Sequence, residues 1–201
     1  MVYKILHSFL RLIFLLVFRW RIKGVENVPK AGGLIVASNH LSLWDPPLIG
    51  CALPTSRKIH FMAKAELFSW PVFRWIIQEL GAFPVRRGAA DRNAIRTALG
   101  LVEAGGVFGI FPEGTRSKTG ELGQPAPGMA MIALKAGAPI VPAAVIGTNK
   151  VFRDGHLFPR FEVRFGKPIS LPEDRNNREA VEYVNTLVMH EIARLLQGEG
   201  G

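Results

Sequence analysis

The sequence predicts a single α/β domain, with a mostly parallel or mixed sheet flanked by helices, and an amphipathic membrane-associating helix in front of it. Short apolar runs that are typical of buried strands alternate along the chain with longer segments of helical periodicity, and this alternation favours a layered α/β fold. No internal repeat or long linker divides the 201 residues. We therefore expect an interfacial anchoring helix at residues 1–20 and one folded domain at residues 21–201.

The composition excludes several other classes of protein. With 48% hydrophobic and 20% charged residues, the chain is too apolar to be disordered. It lacks the repeated apolar runs of about 20 residues that a polytopic membrane protein needs, and Cys51, its single cysteine, rules out a disulfide scaffold. The 25 basic and 16 acidic side chains give a net charge of +9. That excess indicates an anionic partner, either nucleic acid or a lipid headgroup.

The first 23 residues carry five basic side chains and no acidic one, on both sides of an apolar segment at residues 5–18. Arg11 interrupts this segment and no small-residue cleavage site follows it, so it does not match a signal peptide. A helix of this length rises about 21 Å, which is less than the roughly 30 Å of a bilayer core. We expect it to lie in the membrane interface with Trp20 at the boundary. The alternative is a helix packed on the domain's own core.

Seven segments of strand length follow this segment. The second run, with the sequence GLIVAS, is apolar at nearly every position, as expected for a strand that is covered on both faces. The predicted strands, in chain order, are residues 21–25, 33–38, 58–63, 81–85, 107–111, 140–145 and 161–165.

The predicted helices fill the intervals between the strands. The first begins at Asp45-Pro46-Pro47, with Asp45 as N-cap and Pro46 at the first helical position. The next, at residues 66–80, is strongly apolar and bent at Pro71. Glycines end the next two helices, and the closing helix has six apolar side chains on one face. These last helices cover residues 91–104, 130–136 and 178–197.

His40 and Asp45 are the first candidates for chemistry. His40 directly follows the strand at residues 33–38, and on a tight strand-to-helix loop its side chain can meet that of Asp45. A histidine held by a carboxylate is the arrangement that general-base catalysis requires. The alternative is that Asp45 only caps the helix and His40 is only a loop residue. Ser42 lies in no G-x-S-x-G elbow and Cys51 lies in an apolar helix, so a base at His40 would activate a hydroxyl of the substrate.

Cationic side chains follow three other predicted strands. They are Lys64, the Arg86-Arg87 pair, and Arg116 in the sequence FPEGTRS at residues 111–117. The planar fork of Arg116 suits a phosphate, although each site taken alone is typical of a solvated surface. The carboxyl ends of parallel strands meet at one edge of a sheet. The basic side chains that follow these strands therefore predict, taken together, an anion site beside His40. The sequence has no Walker A motif, no G-x-G-x-x-G and no Cys/His metal spacing, so we expect neither a nucleotide cofactor nor a metal.

Together these motifs resemble the 1-acylglycerol-3-phosphate O-acyltransferase family, the glycerolipid acyltransferases with an H-x4-D box. Residues 39–45 are similar to the catalytic box and residues 81–87 to the second block. Residues 111–117 are similar to the third block, and residues 140–144 to the fourth, a strand that contains proline. The match covers roughly residues 20–170. Four blocks in the right order, with the third intact, make the resemblance specific.

The resemblance implies a reaction and a role for each block. His40, supported by Asp45, would deprotonate the free hydroxyl of lysophosphatidate, which would attack an acyl thioester of coenzyme A or acyl carrier protein and give phosphatidic acid. Arg116 and Arg87 would hold the phosphate, and the fourth block would line the acyl-donor side. The other substrate-binding residues that it implies are Lys64, Glu113, Gly114 and Thr115. One departure is Ala126, where many relatives carry a basic residue.

Two alternatives to this reaction remain. One is an acyltransferase with another acceptor, such as glycerol 3-phosphate or a different lysolipid. The other is a non-catalytic basic module that binds a membrane surface or nucleic acid. The chain has no RRM, KH, zinc-finger or helix-turn-helix signature, so nucleic acid is not an expected partner. An anionic membrane surface is, and the lack of a cleavable signal and of cysteine pairs predicts peripheral attachment to the cytoplasmic face of the cell membrane.

Overall fold

Seven strands form one mixed sheet in a computed structural model of the chain, which describes residues 1–86, 91–152, 157–175 and 177–199. The order of the strands in the sheet is β1-β7-β6-β2-β5-β3-β4. Their bounds are β1 Arg21–Lys23, β2 Leu34–Ser38, β3 Ile59–Lys64, β4 Ala82–Val85, β5 Val107–Ile110, β6 Ile140–Ile146 and β7 Glu162–Phe165.

Five neighbouring strands, from β6 to β4, run parallel to one another. Strand β7 pairs antiparallel with β6, and β1 pairs parallel with β7. The mixed sheet that the sequence predicts is confirmed. The parallel block matters most for function, because the carboxyl ends of β2, β3, β4 and β5 all open at the same edge.

Six helices cover the two faces of the sheet within the described residues. Asp91 and Asn177 cap the fourth and sixth helices through their side chains, and Gly137 ends the fifth in a left-handed conformation. The bounds of the helices are α1 Val2–Leu16, α2 Asp45–Ala52, α3 Pro71–Glu79, α4 Arg92–Glu103, α5 Gly128–Ala136 and α6 Arg178–Gln197.

The side chains of β2 show how the two faces are filled. Leu34 and Val36 point to one side, where they join the core formed with α1 and α2. Ile35 and Ala37 point to the other side, where α4, α5 and α6 pack. All five residues of β2 are buried. This explains why the run is apolar throughout rather than alternating, as a strand covered by helices on both faces must be.

Helix α1 packs on the domain with one side and exposes apolar side chains on the other. His7 and Phe14 are buried against the domain, and Nε2 of His7 hydrogen-bonds to the carbonyl of Leu53 at 3.1 Å. The inner side of α1 therefore packs on the core of the domain, as the alternative to an interfacial helix predicts. The outer side carries Ile5, Phe9, Leu12, Leu15 and Leu16, each more than half exposed. No helix in the described part of the chain is both long and apolar enough to cross a membrane.

The apolar segment after β3 is not one bent helix, contrary to the prediction for residues 66–80. Ala65–Ser69 forms a 3-10 turn, and α3 then begins separately at Pro71. Proline has no amide hydrogen and fits best at the first position of a helix, so Pro71 starts a helix here instead of bending one. Most of α3 remains exposed, including Trp70 at its cap and Trp75.

Candidate active site

His40 and Asp45 meet in the sharp loop between β2 and α2. Nδ1 of His40 lies 2.8 Å from Oδ2 of Asp45. His40 is 7% exposed and Asp45 is fully buried. Since an ionised carboxylate only accepts hydrogen bonds, Nδ1–H is the donor, and the lone pair of the neutral imidazole is on Nε2. The geometry is that of a base oriented by a carboxylate.

Asp45 is not the N-cap of α2, and here the sequence prediction was wrong. It is the first residue of the helix, and Trp44 occupies the cap position. Pro46 and Pro47 supply no amide donor to a preceding side chain, and the amide of Leu48 donates to the carbonyl of Trp44. Because these amides are missing or used, the carboxylate turns back toward the loop that it follows.

Asp45 is held there by donors on both of its oxygens. Oδ2 accepts the backbone amides of Leu41 at 2.6 Å and Ser42 at 2.7 Å, besides the imidazole of His40. Oδ1 accepts the hydroxyl of Thr148 at 2.6 Å. These hydrogen bonds fix the orientation of the buried carboxylate beside the imidazole.

The third motif, at residues 111–117, holds His40 from the other side. The ring of Phe111 stacks on the imidazole with centroids 3.9 Å apart and an interplanar angle of 13°. The backbone amide of His40 donates to Oε1 of Glu113 at 3.1 Å, and its carbonyl accepts the amide of Ser117 at 2.8 Å. The ring plane and the backbone of His40 are thus both fixed before any substrate arrives.

A cavity of about 670 Å³ opens in front of His40, within the size range of small-molecule sites. Part of its lining is apolar and buried or half-buried, and includes Met62, Ile110 and Met129. Gly114 and Thr115 lie on its exposed side. The described basic side chains that line it are Lys64, Arg86 and Arg116.

The predicted substrate-binding residues therefore fall into three groups. Lys64, Gly114, Thr115 and Arg116 line the same cavity as His40. Arg87 lies outside the described residues, while its neighbour Arg86 lines the cavity.

Glu113 forms the third group, because both of its carboxylate oxygens accept backbone amides. Oε1 accepts the amide of His40, and Oε2 accepts the amide of Gly123 at 2.9 Å. These bonds tie the histidine loop to the long loop that carries Arg116. The position of Glu113 is that of a brace between two loops.

The fourth block does not line the cavity among the described residues. Strand β6 is buried in the centre of the sheet. At its end the side chain of Asn39 donates to the carbonyl of Val145 at 2.9 Å and accepts its amide at 2.8 Å. Thr148 follows three residues later and reaches Asp45. Sequence reasoning placed Asn39 in the block that resembles the catalytic box but gave it no role, and it missed Thr148. Asn39 at least adjoins His40, whereas nothing local marks Thr148.

Cys51 is a core residue, as the sequence predicts. It is 2% exposed, and burial raises the pKa of its thiol to about 12. A thiol with such a pKa is not ionised near neutral pH, so Cys51 is unsuited to act as a nucleophile.

A family model described as Acyltransferase matches residues 19–146, which is more than half of the chain. The chain belongs to the acyltransferase family. The match includes His40, Asp45, the third motif and β6, so all the loops that build the cavity lie within it. The family resemblance seen in the sequence motifs is confirmed.

Relatives from a plant and a bacterium are both named as acyltransferases. The chain is 33% identical over 141 residues to the 1-acyl-sn-glycerol-3-phosphate acyltransferase BAT2, chloroplastic, of Brassica napus, covering 69% of this chain and 40% of that protein. It is 36% identical over 137 residues to the lyso-ornithine lipid O-acyltransferase of Pseudomonas aeruginosa, covering 67% and 50%. The chain therefore spans only two fifths to one half of the length of these curated relatives.

The fold of nearly the whole chain is found in a solved structure. The 1-acyl-sn-glycerophosphate (LPA) acyltransferase PlsC from Thermotoga maritima superposes with a TM-score of 0.77 at 31% identity. The match covers 96% of this chain and 79% of that protein. The mixed sheet with its flanking helices is thus the architecture of a known member of the family.

Proposed function

We propose that this chain is an O-acyltransferase that moves a fatty acyl group from an acyl thioester to the free hydroxyl of 1-acylglycerol-3-phosphate, giving phosphatidic acid. One observation carries the proposal: the base His40, oriented by Asp45 at 2.8 Å, lines a cavity with both apolar and cationic lining. Lysophosphatidate has the matching parts, an acyl chain, a hydroxyl and a phosphate. The names of the plant relative and of the Thermotoga protein support this substrate class.

The reaction needs one base and correct positioning. Nε2 of His40 takes the proton of the acceptor hydroxyl while the oxygen attacks the thioester carbonyl. The tetrahedral intermediate then expels the thiolate, which takes this proton from the imidazolium and leaves as a free thiol. Asp45 stabilises the imidazolium between the two steps. A positioned base contributes about 10²–10⁴-fold, and holding hydroxyl and thioester together supplies much of the remainder.

The cations that line the cavity would hold the phosphate. Arg116 offers a planar fork for two phosphate oxygens, whereas Lys64 offers a point charge. Arg87 remains a proposed partner through the resemblance, and Arg86 joins it through its place in the cavity. We assign Glu113 to bracing the loops, because its oxygens are engaged by amides and a carboxylate would repel a phosphate.

The acyl donor and its carrier are co-substrates rather than bound cofactors. Acyl-CoA and acyl carrier protein are both anionic, and either one suits a chain of net charge +9. Assays with the two donors at matched acyl chain would decide between them.

The acceptor is tested by a panel assayed with one labelled acyl donor. Lysophosphatidate, glycerol 3-phosphate and lyso-ornithine lipid are the informative members. The last is included because the Pseudomonas relative named for it is 36% identical to this chain. We expect acyl transfer to lysophosphatidate with the highest kcat/KM. Turnover of lyso-ornithine lipid alone would replace the phosphate acceptor by an amino-acid headgroup, and no transfer to any hydroxyl would refute the acyltransferase itself.

We also propose that the enzyme attaches peripherally to the cytoplasmic face of a membrane through the outer side of α1. Phe9 and Leu12, both more than half exposed there, are the side chains to change. Phe9→Asp/Leu12→Asp should abolish flotation with anionic liposomes. Tyr183→Asp, at an exposed apolar residue of α6, is the matched control and should leave flotation intact. Loss of flotation in Trp70→Asp instead would place the anchor at the start of α3.

A further inference from the structure

Thr148 lies directly behind the His40–Asp45 pair, although 103 residues separate it from Asp45 in the sequence. Its hydroxyl donates to Oδ1 of Asp45 at 2.6 Å, and the residue is 1% exposed. The partner is a carboxylate that only accepts, so the single hydroxyl proton of Thr148 is committed to this bond.

The fold brings Thr148 there by a specific turn. Gly147 ends β6 with a φ of +87°, and a Cβ at this position would lie 2.2 Å from the carbonyl oxygen of Arg160. Only glycine fits both the conformation and the space. The turn that follows, Thr148–Lys150, then directs Thr148 toward Asp45. Asn39 fixes the same end of β6 to the histidine loop through Val145.

Thr148 completes the set of donors on the carboxylate. Oδ2 of Asp45 already has three donors, among them His40, whereas the other contact to Oδ1 is a long one of 3.4 Å from the hydroxyl of Ser42. Without Thr148, a buried ionised oxygen would lose its one short hydrogen bond. Leaving a buried acceptor without its partner is unfavourable, so the carboxylate would tend to rotate away from its orientation beside His40.

We infer that Thr148 is a positioning residue for the reaction: it holds the carboxylate of Asp45 in the orientation that directs His40 toward the substrate. This inference rests on the proposed acyl transfer. It gives the fourth block a task, which is to place Thr148 behind the base rather than to contact the acyl donor. Thr148 itself does not line the cavity and touches no reacting atom.

Thr148→Val tests the inference in the full-length enzyme, because valine keeps the shape of threonine and removes the hydroxyl. We expect kcat to fall about tenfold while the KM values for acceptor and donor stay within twofold. Thr148→Ser should restore most of the activity, since serine keeps the hydroxyl and loses a methyl group. Thr97→Val removes an exposed hydroxyl bond to the carbonyl of Asn93 on α4 and should change neither parameter.

A proton NMR measurement reads the His40–Asp45 bond without any turnover. The low-field signal of the His40 Nδ1–H, identified by its absence in His40→Ala, should shift or broaden in Thr148→Val and return in Thr148→Ser. If the wild-type enzyme transferred no acyl group, this signal would still test the role of Thr148, so failure of the proposed reaction and of the inference can be told apart. A folded Thr148→Val protein with unchanged kcat and an unchanged signal would overturn the inference.

Discussion

The two halves of the site, the base and the cations, are built in opposite ways. His40 and Asp45 are buried, and protein groups engage Nδ1 of the imidazole and both carboxylate oxygens at 2.6–2.8 Å. The side chain of Lys64 is 50% exposed and pairs with Glu66 at 3.3 Å, and Arg116 is also exposed. The base is therefore positioned by the protein itself, whereas the cations proposed to bind the phosphate remain exposed.

This difference predicts where each half enters the kinetics. Groups that are fixed in advance and act on charge in the transition state affect kcat. Exposed cations that bind the same phosphate in the ground state and the transition state affect KM. Variants of the two halves should therefore separate into two kinetic classes.

His40→Ala should have the largest effect. Removing a positioned base costs about 10²–10⁴-fold in rate, and we expect kcat at the upper end of that loss with little change in KM. Acyl transfer from a labelled thioester measures it, and thermal unfolding compared with wild type shows whether the protein stays folded. Near-normal turnover in a folded variant would refute the role of His40.

Asp45→Asn should come next, with a loss of about 10² in kcat, because an amide cannot stabilise the imidazolium as a carboxylate does. The NH₂ group of the asparagine must also face groups that donate to the carboxylate in the wild type. These are the amides of Leu41 and Ser42 on one oxygen, or the hydroxyl of Thr148 on the other. We therefore expect a lower Tm as well, unlike His40→Ala. Full activity in Asp45→Asn would show that His40 needs no carboxylate.

Arg116→Gln tests the other half and should leave kcat within about threefold while raising the acceptor KM about tenfold, because it removes uniform binding of the phosphate. The donor KM should not change. Arg178→Gln is the matched control, since Arg178 is an exposed arginine on α6 that pairs with Glu182 at 2.8 Å. If Arg116→Gln lowered kcat without changing the acceptor KM, Arg116 would act with the base rather than in phosphate binding. The two halves would then not separate into two kinetic classes.

The sequence predicts the base, His40 with Asp45, less well than the strands and helices around it. The strands and most helices follow from apolar runs and from glycine and proline signals, so α6 is predicted at Arg178–Gln197, as the structure has it. The sequence left two interpretations of Asp45, a partner of His40 or only a helix cap, because an aspartate before two prolines is also typical of an N-cap. What decides it is the number of donors behind the carboxylate, and one of them, Thr148, comes from the far end of another strand.

The cationic half shows the reverse. Lys64 and Arg116 are visible in the sequence as basic residues after strands, and the parallel pairing of β3 with β5 brings their strand ends to one edge. The positions that these side chains would take around a phosphate are not set by burial, because both side chains are exposed, so neither sequence nor fold fixes them. Glu113 is different again, since the family resemblance implied substrate binding, whereas its two backbone-amide partners, which only the structure shows, favour the bracing role proposed above.

Glu113→Gln should have the smallest effect, and it tests how the two halves are joined. Glutamine keeps one carbonyl oxygen, so only one of the two amides, that of His40 or that of Gly123, retains an acceptor. Because Phe111 and Asp45 still hold the imidazole, we expect the freed side to be the Gly123 loop that carries Arg116. The acceptor KM should rise about threefold with kcat nearly unchanged, a smaller version of the Arg116→Gln result. In the double variant the two effects should be less than additive, since both act on the same phosphate contact. A kcat loss as large as that of Asp45→Asn would instead mean that Glu113 belongs with the base, and that the two halves are one rigid unit.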